Sequence, residues 1–181
     1  DTLEILDICQ FLDNEKLTND CLTQNQTIIL DSYLSLLYYS VRRYDDVIPL
    51  LEDCYDKKRY LWKDATISIL NLLINTYVEL QMYEQGRDLS RKLLRNLNYS
   101  NKYQGYYLLA KCEYNLNETR SAYTHIKSAY NNINRDVDIC LLYIDIIEQL
   151  YLNEIHNNHY GKAIRLYEKK LDVITANSQF D

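Results

Sequence analysis

Turn chemistry is nearly missing from this chain. Its 181 residues include three glycines and one proline, where average usage would be about 7% and 5%, so the tight turns that strands and hairpins require cannot be built in number. Apolar residues instead recur at three- and four-residue steps almost throughout, and polar clusters interrupt them at short intervals. The pattern predicts helices over 2–13, 27–41, 45–57, 62–81, 83–98, 102–115, 118–133, 136–152 and 159–175, give or take ~2 to 4 residues at each end. No strand is needed. With Asp46 as N-cap, Pro49 falls at the third helical position, where its missing N–H costs no bond, and so marks a helix start.

Hydrophobic residues make up 47% of the chain, enough for one compact domain or a short run of repeats with a continuous core. The net charge of -6 and pI of 5.1 argue against direct nucleic-acid binding. No apolar run is long enough to span a membrane, and no targeting segment is visible. The five cysteines form no CxxC, and Cys54, Cys112 and Cys140 fall at or beside apolar helical positions. They are expected to be reduced core residues of an intracellular protein, cytoplasmic or nuclear. The chain starts at Asp1 without an initiator methionine, so a piece of a longer protein is expected.

Four segments share one pattern: RRYDDVIPLLEDC (42–54), QMYEQGRDLSRKL (81–93), LNETRSAYTHIKSA (116–129) and NHYGKAIRLYEKKL (158–171). Aligned on Val47, Gly86, Ala122 and Ala163, they are spaced by 39, 36 and 41 residues. The helix before each segment carries small or apolar residues where a partner must approach: Leu34, Ser35 and Tyr38, then Leu73, Ile74 and Tyr77, then Leu109 and Ala110. This resembles the tetratricopeptide repeat (TPR), a helix-turn-helix unit of about 34 residues. Tyr160, Ala163 and Tyr167 match its turn-aromatic, small and aromatic places best. Gly86 and Ser90 depart from the usual Ala and aromatic, and Glu113 stands at an expected Tyr. The resemblance implies an all-α, right-handed TPR-like α-solenoid of about four helix pairs over 27–181. Residues 1–26 are then a leading helix and linker, the end of a preceding unit.

Catalytic constellations are thin. His156 and His159 are three apart in a polar loop and lack two further ligands that zinc would need. His125 lies on a helix beside Tyr123 and Ile126, and the glycines are isolated, so no phosphate-binding loop exists. No cofactor, no metal and no enzyme activity are expected. The basic stretch DKKRYLWK (56–63) reads as a solvated loop whose Trp62 anchors the next helix.

A solenoid of this kind binds through a concave wall lined by the first helix of each pair. On that wall the pattern places Ser32, Leu36 and Tyr39, then Asn71, Asn75 and Val78, then Tyr107, Lys111 and Tyr114. Asn71 and Asn75 share a helical face, and two amides one turn apart can bracket the N–H and C=O groups of an extended peptide. The expected function is a non-catalytic scaffold that binds a protein or peptide segment, with self-association as a further expectation. Two groups are similar: the repeat domains of Gram-positive peptide-pheromone sensors, which would make this the ligand-binding domain of a peptide-sensing transcription regulator, and scaffold subunits of the anaphase-promoting-complex type. The first implies peptide contacts at Asn71 and Asn75; the second, assembly.

Overall fold

The computed structural model describes residues 2–18, 21–98, 101–133 and 136–178. Among these, all regular structure is helical: α1 (Thr2–Thr18), α2 (Gln24–Ser40), α3 (Tyr44–Asp56), a 3-10 turn (Lys58–Tyr60), α4 (Lys63–Glu79), α5 (Tyr83–Asn96), α6 (Lys102–Asn115), α7 (Thr119–Asn132), α8 (Val137–His156) and α9 (Tyr160–Ser178). The chain divides into two compact units, Asp1–Leu89 and Ser90–Asp181, so the boundary falls inside α5.

The four pairs α2/α3, α4/α5, α6/α7 and α8/α9 are closed by one and the same corner. Arg42, Gln81, Asn117 and Asn158 each adopt φ of 60–61°, the left-handed conformation that ends a helix in a Schellman motif. At the first corner the Arg43 N–H donates to the Tyr38 carbonyl (2.9 Å) and the Arg42 N–H to the Tyr39 carbonyl (3.0 Å); the bonds recur at Met82, Glu118 and His159. Five residues beyond each corner stand Val47, Gly86, Ala122 and Ala163, all buried. The spacings read from the sequence are therefore those of the corners. A small residue belongs there because the second helix must close onto the first.

Since the corners fix the C-terminal end of each first helix, differences in repeat length appear at the other end. The helices α2 and α4 have 17 residues each, α6 has 14 and α8 has 20.

In the first unit, Leu34, Tyr38, Val47, Leu51, Ile69, Leu73 and Tyr77 form the core. Two tyrosines clasp the helix behind them: the Tyr38 hydroxyl donates to Asp13 of α1 (2.6 Å), and the Tyr77 hydroxyl to Glu52 of α3. Asp13 and Glu52 are 39 residues apart, like their tyrosines, so α1 occupies the place of a second helix in a pair. Lys16 of α1 reaches the buried carboxylate of Asp31 at 2.5 Å.

In the second unit Tyr143, Ile126, Ile139, Ile146, Ile147 and Val173 are enclosed. Glu113 stands where Tyr38 and Tyr77 stood, 1% exposed, and accepts from His125 Nδ1 at 2.6 Å, with Arg91 Nη2 at 4.0 Å. The departure at Glu113 thus exchanges a tyrosine–acid clasp for an acid–base one. His125 belongs to this packing.

Three expectations are corrected. Helix α1 runs to Thr18, well past 13. Helix α3 begins at Tyr44, with Arg43 as N-cap, so Pro49 is the sixth helical residue and the Asp45 carbonyl loses its partner. Trp62 is 85% exposed and anchors nothing.

Candidate functional site

Helix α2 is apolar on more of its circumference than the core can use. Ile28, Leu34 and Tyr38 are buried, while Ile29, Tyr33 and Leu36 form a second stripe at four- and three-residue steps that stays 54%, 62% and 52% exposed. A capping box starts this helix: the Gln26 N–H donates to Thr23 Oγ1 (3.4 Å) and the Thr23 N–H to Gln26 Oε1 (2.9 Å). That cap adds a turn ahead of residue 27, where the sequence pattern places the start.

Across from the stripe runs α4, entered through the 3-10 turn and Leu61. Its N-cap, Trp62, has an extended backbone and no side-chain cap bond. The wall it offers is small: Ala65 and Ser68, with Leu61 and Ile69 at the base. Between the helices lies a cleft of about 370 Å³ lined by Ser32, Tyr33, Leu36 and those α4 residues. A chamber of about 250 Å³ bounded by Asn25, Tyr60 and Trp62 adjoins it, sharing Ile29, Leu61 and Ala65. Ser32 Oγ donates to the Ile28 carbonyl (2.8 Å) and Ser68 Oγ to the Asp64 carbonyl (3.1 Å). The hydroxyl hydrogens are spent within their own helices, and the cleft is apolar in what it offers.

Of the residues singled out in the sequence, Ser32 and Leu36 line this cleft. Asn71 and Asn75 continue its α4 wall from Ser68 at three- and four-residue steps, both half-buried. The Asn75 side-chain amide donates to the Asn71 carbonyl at 2.9 Å. The same bond to the fourth residue back is made by Asn96, Asn115, Asn132, Asn157 and Asn177, so the local helix already explains it. Tyr39 is half-buried against Tyr44, ring centroids 5.3 Å apart; burial and then the Glu79 charge raise its pKa. Val78 is corrected: at 7% exposed it presents no wall, because its position on α4 turns it inward with Ile74 and Tyr77.

Tyr107, Lys111 and Tyr114 lie on α6 in the second unit, all half-buried. The two tyrosines pack on that unit's core. Burial raises both pKa values, followed by the carboxylates of α8 and its N-cap: Asp138 and the cap Asp136 for Tyr107, Asp145 and Glu148 for Tyr114. This face is tyrosine-lined and acidic, unlike the apolar one on α2 and α4.

The pattern missed Ile29, Tyr33, Leu61, Trp62 and Ala65. Ile29, Tyr33 and Leu36 were available as a surplus apolar stripe once Ile28, Leu34 and Tyr38 had been given to the core.

Among the described residues no three His, Cys, Asp or Glu side chains come together to hold a metal. His156 ends α8, and His159 Nδ1 lies 2.8 Å from Glu154 Oε2; both histidines are exposed. Among the described residues no helix is long and apolar enough to cross a membrane.

No protein-family model and no curated protein sequence matches the chain. Solved structures do match. A structure titled MamA MSR-1 C2 is 20% identical with a TM-score of 0.63, covering 92% of this chain and 88% of its own. A further MamA crystal structure is 16% identical with a TM-score of 0.61, covering 84% and 75%. The apo form of RapI is 12% identical with a TM-score of 0.70, covering 97% of this chain and 65% of its own. Together with the repeated corners, these likenesses give the chain an all-α TPR-like helical-repeat fold.

Proposed function

We propose that this chain is a non-catalytic protein-binding domain that receives a segment of a partner on the exposed face of α2 and α4 in its first unit. The observation that carries the reading is the second apolar stripe of α2. Ile29, Tyr33 and Leu36 stand in solvent beside a cleft, although the same helix fills its core positions with other residues. A contiguous exposed apolar surface of this kind marks an interaction site more often than it marks tolerated exposure. Asn71 and Asn75 extend the face along α4, where the remaining amide groups can accept or donate at the polar rim.

Selection of peptides from a displayed random library tests the reading. Peptides enriched on the wild-type chain are expected to bind about tenfold or more weakly to Leu36→Asp, whose helicity should be unchanged because the side chain is half exposed. Equal enrichment on both proteins would place any binding elsewhere. Asn71→Ala combined with Asn75→Ala is expected to weaken the selected peptides less than Leu36→Asp does.

A further inference from the structure

One end of the cleft carries a cluster of cations. Where the 3-10 turn leads into α4, residues 56–64 hold Lys57, Lys58, Arg59 and Lys63 against Asp56 and Asp64, a net positive stretch within a chain of net charge -6. Lys57 is engaged with Asp53 at 2.5 Å. Lys58 holds its ammonium 4.2 Å from the centre of the Tyr55 ring, and Arg59 its guanidinium 4.7 Å from that of Tyr60, a residue of the cleft wall. Cation–π contact fixes these charges in place while leaving them exposed. Lys63, also exposed, follows Trp62 directly. The N-terminal end of α2 across the cleft carries Gln24, Asn25 and Gln26, which bring no charge.

The interior of the cleft selects the backbone of its guest. An extended segment laid there would face apolar side chains and hydroxyls whose hydrogens already serve Ser32 and Ser68's own helices. Donors stand only at the edges of the cleft, on Asn25, Tyr33, Tyr60 and Trp62, so most of the segment's carbonyl groups would lose water without gaining a partner. A helix carries its backbone bonds with it and inserts side chains alone. The small residues Ser32, Ala65 and Ser68 leave room for them, between the larger rims of Tyr33 and Leu36 on one side and Tyr60 and Trp62 on the other.

We infer that this cleft takes the apolar face of an acidic amphipathic helix from a partner protein, with carboxylates of that helix set beside Lys58, Arg59 and Lys63. Trp62, exposed when the cleft is empty, closes over the inserted side chains. The inference rests on the docking role proposed above and narrows the partner to one chemistry.

Trp62 is the sole tryptophan, so its emission reports this site alone. Two synthetic helical peptides serve as probes, both with leucines at three- and four-residue steps, one flanked by glutamates and the other by lysines. The glutamate peptide is expected to shift the emission to the blue and saturate, to bind about tenfold more tightly than the lysine peptide, and to weaken with added salt. Leu36→Asp should abolish saturation, and Lys58→Glu, Arg59→Glu and Lys63→Glu together should reverse the preference between the peptides. Equal binding of both peptides, sensitive to Leu36→Asp, overturns the acidic partner while the docking role stands. Saturation insensitive to Leu36→Asp, or no binding of either peptide, overturns the inference, and the library selection decides the wider reading by itself. A tryptophan shift given by an oligothymidine and by neither peptide also overturns it, in favour of a nucleic acid.

Discussion

At the scale of single residues, a few buried polar side chains matter that the hydrophobic pattern does not mark. Asp31 is 1% exposed and takes its charge balance from Lys16 on α1. Lys16→Ala leaves that carboxylate buried and unpaired, and should cost about 2 to 3 kcal/mol in urea unfolding. Cys54 is enclosed between α2 and α3, with its thiol directed at the Ile28 carbonyl (3.6 Å). Burial, above all, pushes its pKa from 9.0 up to about 11. The unfolded thiol ionises first, so the contribution is fully present below pH 9 and is lost as pH rises from 9 to 11. Over that window Cys54→Ala is expected to remove roughly 1 to 2 kcal/mol of the alkaline loss seen in the wild type, measured by urea melts at each pH. Neither Lys16 nor Asp31 was legible as a pair, because fifteen residues and a turn separate them in sequence.

At the scale of elements, the corners are the most legible feature and also a strained one. Four segments aligned on small residues gave spacings of 39, 36 and 41, and the structure shows why: each small residue sits five places past a left-handed corner. Two corners use Asn, which tolerates that conformation, and two use Arg42 and Gln81. Gln81→Gly should therefore stabilise the chain by about 0.5 to 1 kcal/mol, and Asn117→Gly by less, in equilibrium melts. The helical glycines divide the same way. A Cβ on Gly105 would meet Leu94 Cδ2 at 2.8 Å and Leu97 Cδ1 at 3.0 Å, whereas one on Gly161 would meet nothing within 4 Å. Gly105→Ala is expected to destabilise by about 1 to 2 kcal/mol, and Gly161→Ala to stabilise by about 0.5 to 1 kcal/mol. Helix ends were less legible than corners. The last turn of α1, with Asn14, Glu15 and Thr18, and that of α8, with Asn153 and His156, carry too few apolar residues to extend the period; Lys16 and the Tyr38–Asp13 bond hold the first by tertiary contact.

At the scale of the whole molecule, the sequence identified the fold class and the helix pairing but only part of the candidate site. Ser32 and Leu36 were placed because they fall on the exposed side of the first helix in a pair. Val78 was misplaced because a residue on the edge of a stripe can turn either way, and Trp62 because a lone aromatic before a helix reads as an anchor. Apolar surplus also occurs on α9 in the second unit. Tyr160, Ile164, Tyr167, Leu171 and Ile174 recur at four- and three-residue steps and are all 40% exposed or more. Ile164→Lys with Leu171→Lys should change stability by less than about 1 kcal/mol while reducing light scattering at high concentration, since these side chains add little to the core.

The corners hold one end of each first helix and leave the other end open to lengthening. Helices α2 and α4 exceed α6 by three residues, and those added residues bring Asn25 and Ala65 to the N-terminal end of the cleft. That end of the cleft lies outside the part of each pair that the corners fix. It can be trimmed, lengthened or moved to another stack of helix pairs while the corners and the small residues behind them stay as they are.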